Sequence, residues 1–410
     1  MPDDANGRVR HRTDAGPGRI LALVASGEAR TRSAIAQITG LSRPTVAQRL
    51  DALFAAGLLT ESTAVLSSGG RPAKALTFNP TGAVVLCADI GEERTRTAVS
   101  DLSGEILGED VEAIPLDHGP EPVLTRIAEV ARRLLAELGY AEHQVAGFGV
   151  GVPAPVDVGT GRAVGWSVMG GWNGYDIYDI RERLRQEFGV PTFVDNDVNL
   201  LTLAEHRLWW PNEAHLLYVK AGTGIGSGII ADFHLNRGAL GAAGDIGHAF
   251  LSGHGNPTCR CGNRGCVESL AGGWALARDL AEGSEPENRP HDARDVVRLV
   301  RRGDSAAIAR LRDAGRTLGE AVAFATSLLN PGVIVVGGML ASAGDHLLAG
   351  IREAVYQRSL PLATKQLTIT GSRLDHHGGV IGASLLVIDS IFEPAAVDAA
   401  LARGGFAFRA

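Results

Sequence analysis

Apolar residues recur at helical spacing three times near the N-terminus. Ile20, Leu21, Leu23 and Val24 predict a first helix, Ile35 and Ile38 a second ending near Gly40, and Val46, Leu50 and Leu53 a third. Ser42 suits the N-cap of that third helix and Pro44 its first turn. Three short helices joined by a tight Thr39-Gly40-Leu41 turn predict a helix-turn-helix. The polar stretch 60–68 and the Gly69-Gly70-Arg71-Pro72 turn then predict two short strands forming a wing.

Beyond residue 80 the pattern changes to buried runs. Residues 84–90 are an apolar strand ending in Asp89-Ile90-Gly91, followed by an alternating strand over 95–100 and a Ser103-Gly104 turn. A helix (122–138), a buried strand (145–150) and a Gly/Pro loop (151–157) come next. A strand at 192–194 delivers Asp195-Asn196-Asp197 to a helix that runs to Leu208. The strand 216–220 opens Gly222-Thr223-Gly224-Ile225-Gly226-Ser227-Gly228, and 333–336 feeds Gly337-Gly338. Two αβ halves, each starting with a hairpin and a glycine turn, predict a duplicated α/β fold. The expected organisation is a head at 1–80, a first lobe at 81–200 and a second at 201–410.

Length supports that division, since 410 residues exceed what one core usually serves. No apolar run reaches the roughly 18–20 residues of a membrane span and the N-terminus is polar, so the expectation is a cytoplasmic protein with no membrane partner. Charge is uneven. Residues 1–80 carry ten Arg and Lys against six Asp and Glu, whereas 81–410 carry 29 against 40, a net +4 and −11. A basic head on an acidic body suggests that the head meets a polyanion such as double-stranded DNA; a merely solvated basic N-terminus is the alternative. The third helix would present Arg43, Thr45, Gln48 and Arg49 to a major groove, and Arg71 would enter a minor groove. A protein-interaction module for the head and a plain turn at Arg71 stay open.

Cys259, Cys261 and Cys266 fall within eight residues, while Cys87 stands alone in an apolar stretch, where it reads as a small core residue. Such clustering points to metal rather than disulfides, and zinc would need one further ligand from elsewhere, His254 being one candidate.

This order of motifs resembles the ROK family (repressors, open reading frames, kinases) over essentially the whole chain, including a head that family repressors carry and family kinases lack. The resemblance implies an actin-like, ribonuclease H-like, duplicated sugar-kinase body with an N-terminal winged helix-turn-helix domain. It supplies His248 as the fourth ligand of a structural zinc. It implies that Asn196 and Asp197 grip a sugar, that Asp245 and His248 bind further hydroxyls, and that Glu268 completes the contacts. Helix capping by Asn196 or Asp197, and a turn held by Asp245, are the local alternatives.

In the family's kinases the residue matching Asp197 is the general base for phosphoryl transfer from ATP, and Gly222, Thr223, Gly224, Gly337 and Gly338 match their nucleotide site. The kinases' Asp-x-Gly-Gly-Thr loop, however, reads Asp89-Ile90-Gly91-Glu92-Glu93-Arg94 here, and two carboxylates would repel a triphosphate. Asp245 likewise stands where the family has Glu. The resemblance therefore implies a sugar-responsive transcriptional regulator, a repressor, with a DNA operator, a sugar or sugar-phosphate effector, and a homodimer or dimer of dimers. The alternative is an ATP-dependent sugar kinase with a regulatory head.

Overall fold

The computed structural model describes residues 15–66, 73–92, 94–116, 119–157, 159–163, 179–282, 285, 287 and 289–404. Arg71 with its wing turn, and Glu93, lie outside the described residues. In the head, α1 (Pro17–Ala25) and α3 (Arg43–Ala55) follow the apolar periodicity, while α2 (Arg32–Thr39) buries Ile35 and Thr39 and leaves Ile38 47% exposed. The side chains of Thr31 and Ser42 cap α2 and α3, each accepting a backbone N–H, and Gly40 takes the left-handed conformation between them. The antiparallel hairpin of β1 (Leu59–Leu66) and β2 (Ala73–Phe78) sits where the wing was expected.

The first lobe begins with an antiparallel meander, β3 (Val84–Ile90), β4 (Thr95–Asp101) and β5 (Ile106–Glu112). After α4 (Pro120–Leu138), β6 (Val145–Val152) pairs parallel to β3. The short pair β7 (Val156–Asp157) and β8 (Arg162–Ala163), then α5 (Ile180–Phe188), lead to β9 (Thr192–Asn196), parallel to β6. The sheet order is β5-β4-β3-β6-β9.

The second lobe repeats the plan. Past α6 (Asp197–Trp209), the antiparallel strands β10 (Leu216–Ala221), β11 (Ile225–Ala231) and β12 (His234–Leu235) are followed by α7 (Val267–Ala271), α8 (Gly273–Ala281), α9 (Ala293–Arg301) and α10 (Ser305–Leu329). Strand β13 (Val333–Gly337) then pairs parallel to β10, and after α11 (His346–Arg358) and α12 (Pro361–Thr364), β14 (Thr368–Gly371) pairs parallel to β13. The order β12-β11-β10-β13-β14 repeats the first sheet's three antiparallel and two parallel strands, which is the duplicated ribonuclease H-like fold.

The chain then returns. Helix α13 (Gly378–Ile391) packs on β3 and β6 of the first sheet and against α6, so it covers the lobe that precedes residue 200 rather than the one it follows in sequence. The physical reason is that β3 and β6 are apolar on both faces and need a helix on each. Helix α14 (Pro394–Ala402) packs on α1 of the head. There Asp398 accepts the Gly18 N–H at 2.8 Å, and the Phe78 and Phe392 rings meet edge to face with centroids 5.5 Å apart. One continuous apolar cluster consequently runs from Ile20, Leu23 and Leu50 in the head to Ile391 and Val397. Among the described residues no single helix is long and apolar enough to cross a membrane.

Candidate functional site

Between the lobes lies a cavity of about 330 Å³ whose lining includes Asn196, Asp197, Asp245, His248 and Glu268. Asn196 and Asp197 stand where β9 hands over to α6. Asn196 does cap that helix, its Oδ1 accepting from the Val198 N–H at 2.9 Å, while its amide donates to the Ala154 carbonyl at 3.0 Å. Capping and cavity-lining thus coincide in one residue. Asp245 precedes a single 3-10 turn (Ile246–His248) that His248 ends, and Glu268 sits in α7. The Glu268 carboxylate is 4% exposed and accepts from the Ile225 N–H (3.1 Å) and the Trp274 indole N–H (3.0 Å). Gly224 allows this approach, for a Cβ there would sit 2.6 Å from Glu268 Oε2.

The donor atoms of His248, Cys259, Cys261 and Cys266 all lie within 4.8 Å of one another. His248 presents Nδ1 to Cys259 Sγ at 3.7 Å, and Cys261 and Cys266 are 3.8 Å apart, so the thiols are free. Burial, then the neighbouring cysteines, push the Cys266 thiol up to about 12. Three crowded soft donors and an imidazole are the donor set of a closed tetrahedral site, so the residues fit a bound metal ion. His254 instead faces Glu320 of α10 at 3.2 Å. A second group, Glu109, His376 and His377, is already engaged: His377 Nε2 meets Glu109 at 3.1 Å, its Nδ1 meets Asp375 at 3.0 Å, and Arg96 meets Glu109 at 2.6 Å.

A second cavity, of about 460 Å³, adjoins the first and is lined by Gly222, Thr223, Gly224, Glu92, Arg94 and Lys220 among others. Gly337 and Gly338 are not in its lining. Gly338 has φ +88°, and a Cβ there would meet the Ala221 carbonyl at 2.5 Å, so its place is set by the packing of β13 on β10. At the boundary of the two cavities the Lys220 ammonium is ion-paired with Asp197. Burial opposes the lysine charge, yet Asp197, Asp89 and Glu92 outweigh it and hold Lys220 at about 12. Burial, reinforced by Asp197, in turn pushes the Asp89 carboxyl up to about 6. Sequence reasoning missed Lys220; the available signal was one charge in the otherwise apolar run of β10.

On α3 of the head, Arg43 and Gln48 are exposed and Thr45 and Arg49 half-buried. The Thr45 hydroxyl is 2.7 Å from that of Ser42, inside the helix cap, and Arg49 Nη1 is shielded from solvent with no hydrogen-bond partner.

The ROK family model matches residues 85–390. A xylose repressor of Caldicellulosiruptor bescii is 25% identical, over 91% of this chain and 95% of its own. A glucokinase of Halalkalibacterium halodurans is 30% identical, over 73% of this chain and 93% of its own. A crystal structure described as a ROK family transcriptional regulator, a homologue of the Escherichia coli MLC protein, superposes with a TM-score of 0.79 at 24% identity, covering 95% of this chain and 98% of its own.

Proposed function

The chain belongs to the ROK family, and on that premise we propose that it is a sugar-responsive DNA-binding transcriptional regulator of carbohydrate genes, acting as a repressor in the cytoplasm. The observation that carries this reading is the shared core: the helix-turn-helix head is seated on the sugar-kinase-like body through α14 and α1, so the two are mechanically one piece. The sugar, or a sugar phosphate, occupies the interlobe cavity among Asn196, Asp197, Asp245, His248 and Glu268. Polyol hydroxyls suit a lining of carboxylates and amides whose remaining bonds are already made. Closing the lobes moves α6, which starts at Asp197; α6 packs on α13, and α13 continues into α14 and the head. A homodimer would place two α3 helices on a pseudo-palindromic operator, with Arg43, Thr45, Gln48 and Arg49 in the major groove and Arg71 in the minor groove.

Zinc is the metal that best suits three cysteines and a histidine with no open position, and its role is structural: it orders the loop that leads into Glu268. His248 serves both sites, giving Nδ1 to the metal and its outer edge to the cavity.

A kinase reading is favoured by Asp197 and the Gly222–Gly228 loop, which adjoin one cleft. It is opposed by Glu92 at the phosphate loop and by Lys220, which occupies the carboxylate that a general base needs free. Genomic fragments captured by the full-length protein near physiological salt, with and without a panel of pentoses, hexoses, amino sugars and their phosphates, test the regulator. Discrete fragments released by one sugar support it. No enrichment over bulk DNA, together with sugar-dependent ADP release that Asp197→Asn abolishes, would replace it with the kinase.

A further inference from the structure

Among the described residues, the ion pairs that run from the first lobe to β10, β12 and the cysteine loop of the second differ in burial. At the rear, Asp195 at the end of β9 meets Arg237, just beyond β12, at 2.6 Å; the aspartate side chain is 1% exposed and also accepts from the Asn199 amide and the Asn196 N–H. On the floor is Lys220 with Asp197. At the mouth, Glu92 of the first lobe lies 3.3 Å from Arg260, which sits between Cys259 and Cys261 in the second. Arg260 also lies 3.6 Å from Glu268 and stacks over the Trp274 ring at 5.4 Å, so its guanidinium stands between carboxylates of opposite lobes. Glu92 and Arg260 are 25% and 34% exposed, so both ends of that pair reach solvent, whereas in the rear pair Arg237 is 24% exposed and only Asp195, at 1%, is enclosed.

We propose that Arg260 is a positioning residue that latches the mouth of the cleft, bridging Glu92 to Glu268, while the lobes pivot about the pair that Arg237 makes with the buried Asp195 carboxylate. Burial divides the roles. Separating Arg237 from Asp195 would strand a carboxylate that is 1% exposed, a cost that part-exposure of the arginine discounts but does not remove, so the rear pair persists through lobe movement. At the mouth both partners are partly exposed and neither charge would be stranded, so that pair is worth less and breaks more readily. The carboxylate that spoils the phosphate loop for a triphosphate is, on this view, the first-lobe end of the latch. Arg260 is held in register by the cysteines on either side of it, which ties the order of the metal loop to the closure of the cleft. That this closure serves an effector rests on the sugar-pocket reading above; the latch itself is tested without sugar or DNA.

Hydrogen–deuterium exchange on the full-length, metal-loaded protein reads the latch at residues 222–228, under the mouth. Glu92→Gln removes the bridge and leaves the Arg260–Trp274 stack alone. Its expected effect is about two- to five-fold faster exchange there, the range of an exposed pair. Arg260→Gln should do the same, and the double variant no more than the larger single effect. Arg126→Gln, which breaks an ion pair with Glu112 on the outer face of the first lobe, serves as the control and should leave 222–228 unchanged. Unaltered exchange in Glu92→Gln, or effects that add in the double variant, would overturn the latch and leave the regulator reading where it stands.

Discussion

Lys220 and Asp197 are ion-paired across the junction of β10 with α6, where the two interlobe cavities meet beside Glu92. In a phosphoryl-transfer enzyme the base carboxylate must face the attacking hydroxyl unencumbered. Here one of its oxygens is held by a lysine whose charge persists to about pH 12. Coupled ADP-release measurements across the sugar panel should therefore show no turnover above background. Sugar-dependent turnover in the unmodified chain would contradict this.

The same pair contributes to stability. Lys220→Met leaves the Asp197 carboxylate, 9% exposed, without its cation. Because the lysine is itself 31% exposed, the cost is discounted to about 1–3 kcal/mol. Thermal unfolding should show Lys220→Met destabilised and the Lys220→Met/Asp197→Asn double variant partly restored. Equal destabilisation of the double and single variants would show that the pair is not the cause.

Asp89 makes a prediction with a definite sign. Its carboxyl is raised by burial from 3.8 to about 6, so the folded state holds the proton more tightly than the unfolded chain. Its favourable contribution is complete below pH 3.8 and is lost as pH rises through about 6. Asp89→Asn should accordingly be more stable than the parent at pH 7, by up to about 3 kcal/mol, with the gain vanishing near pH 4. Denaturant titrations at the two pH values check it, and a gain that persists at pH 4 would exclude this origin.

Metal analysis of the purified chain should find one zinc per chain, bound by His248, Cys259, Cys261 and Cys266. Chelation or Cys266→Ser should release it, lower the melting temperature and disorder the loop before Glu268, because a metal bound by these four residues would supply folding energy to that loop. Cys87→Ser, in the core next to Ser100, should leave the zinc content unchanged.

For the head, Arg43→Ala and Gln48→Ala should each weaken operator binding by about 1–3 kcal/mol and relax specificity at one base pair, since both side chains are exposed on α3. Arg49→Ala should also lower binding, although its half-buried guanidinium makes part of that loss a packing effect. Phe392→Ala removes the ring that seats Phe78, and should leave DNA binding in place while weakening its response to the effector. Fluorescence anisotropy with operator DNA separates these outcomes. An undiminished sugar response in Phe392→Ala would mean that the signal takes another route.

Much of this molecule was legible from local rules. The Ser42 cap and apolar spacing determined α3, and Gly40 the end of α2, because these act over one or two helical turns; the Thr31 cap of α2 and the outward place of Ile38 were not read. The cysteine spacing pointed to a loop whose thiols the fold gathers with His248, and the ordered motifs determined a family, of whose expected site residues Asn196, Asp197, Asp245, His248 and Glu268 come to one cavity. Tertiary structure alone decided the rest. The partner of Asp197 is 23 residues away, that of Glu92 168 residues away, and no periodicity records either pairing. The return of α13 to the first sheet, and the seating of α14 on the head, were likewise hidden. An apolar helix declares that it must be buried but not against which surface. That choice belongs to whichever sheet face and head core the rest of the fold leaves uncovered.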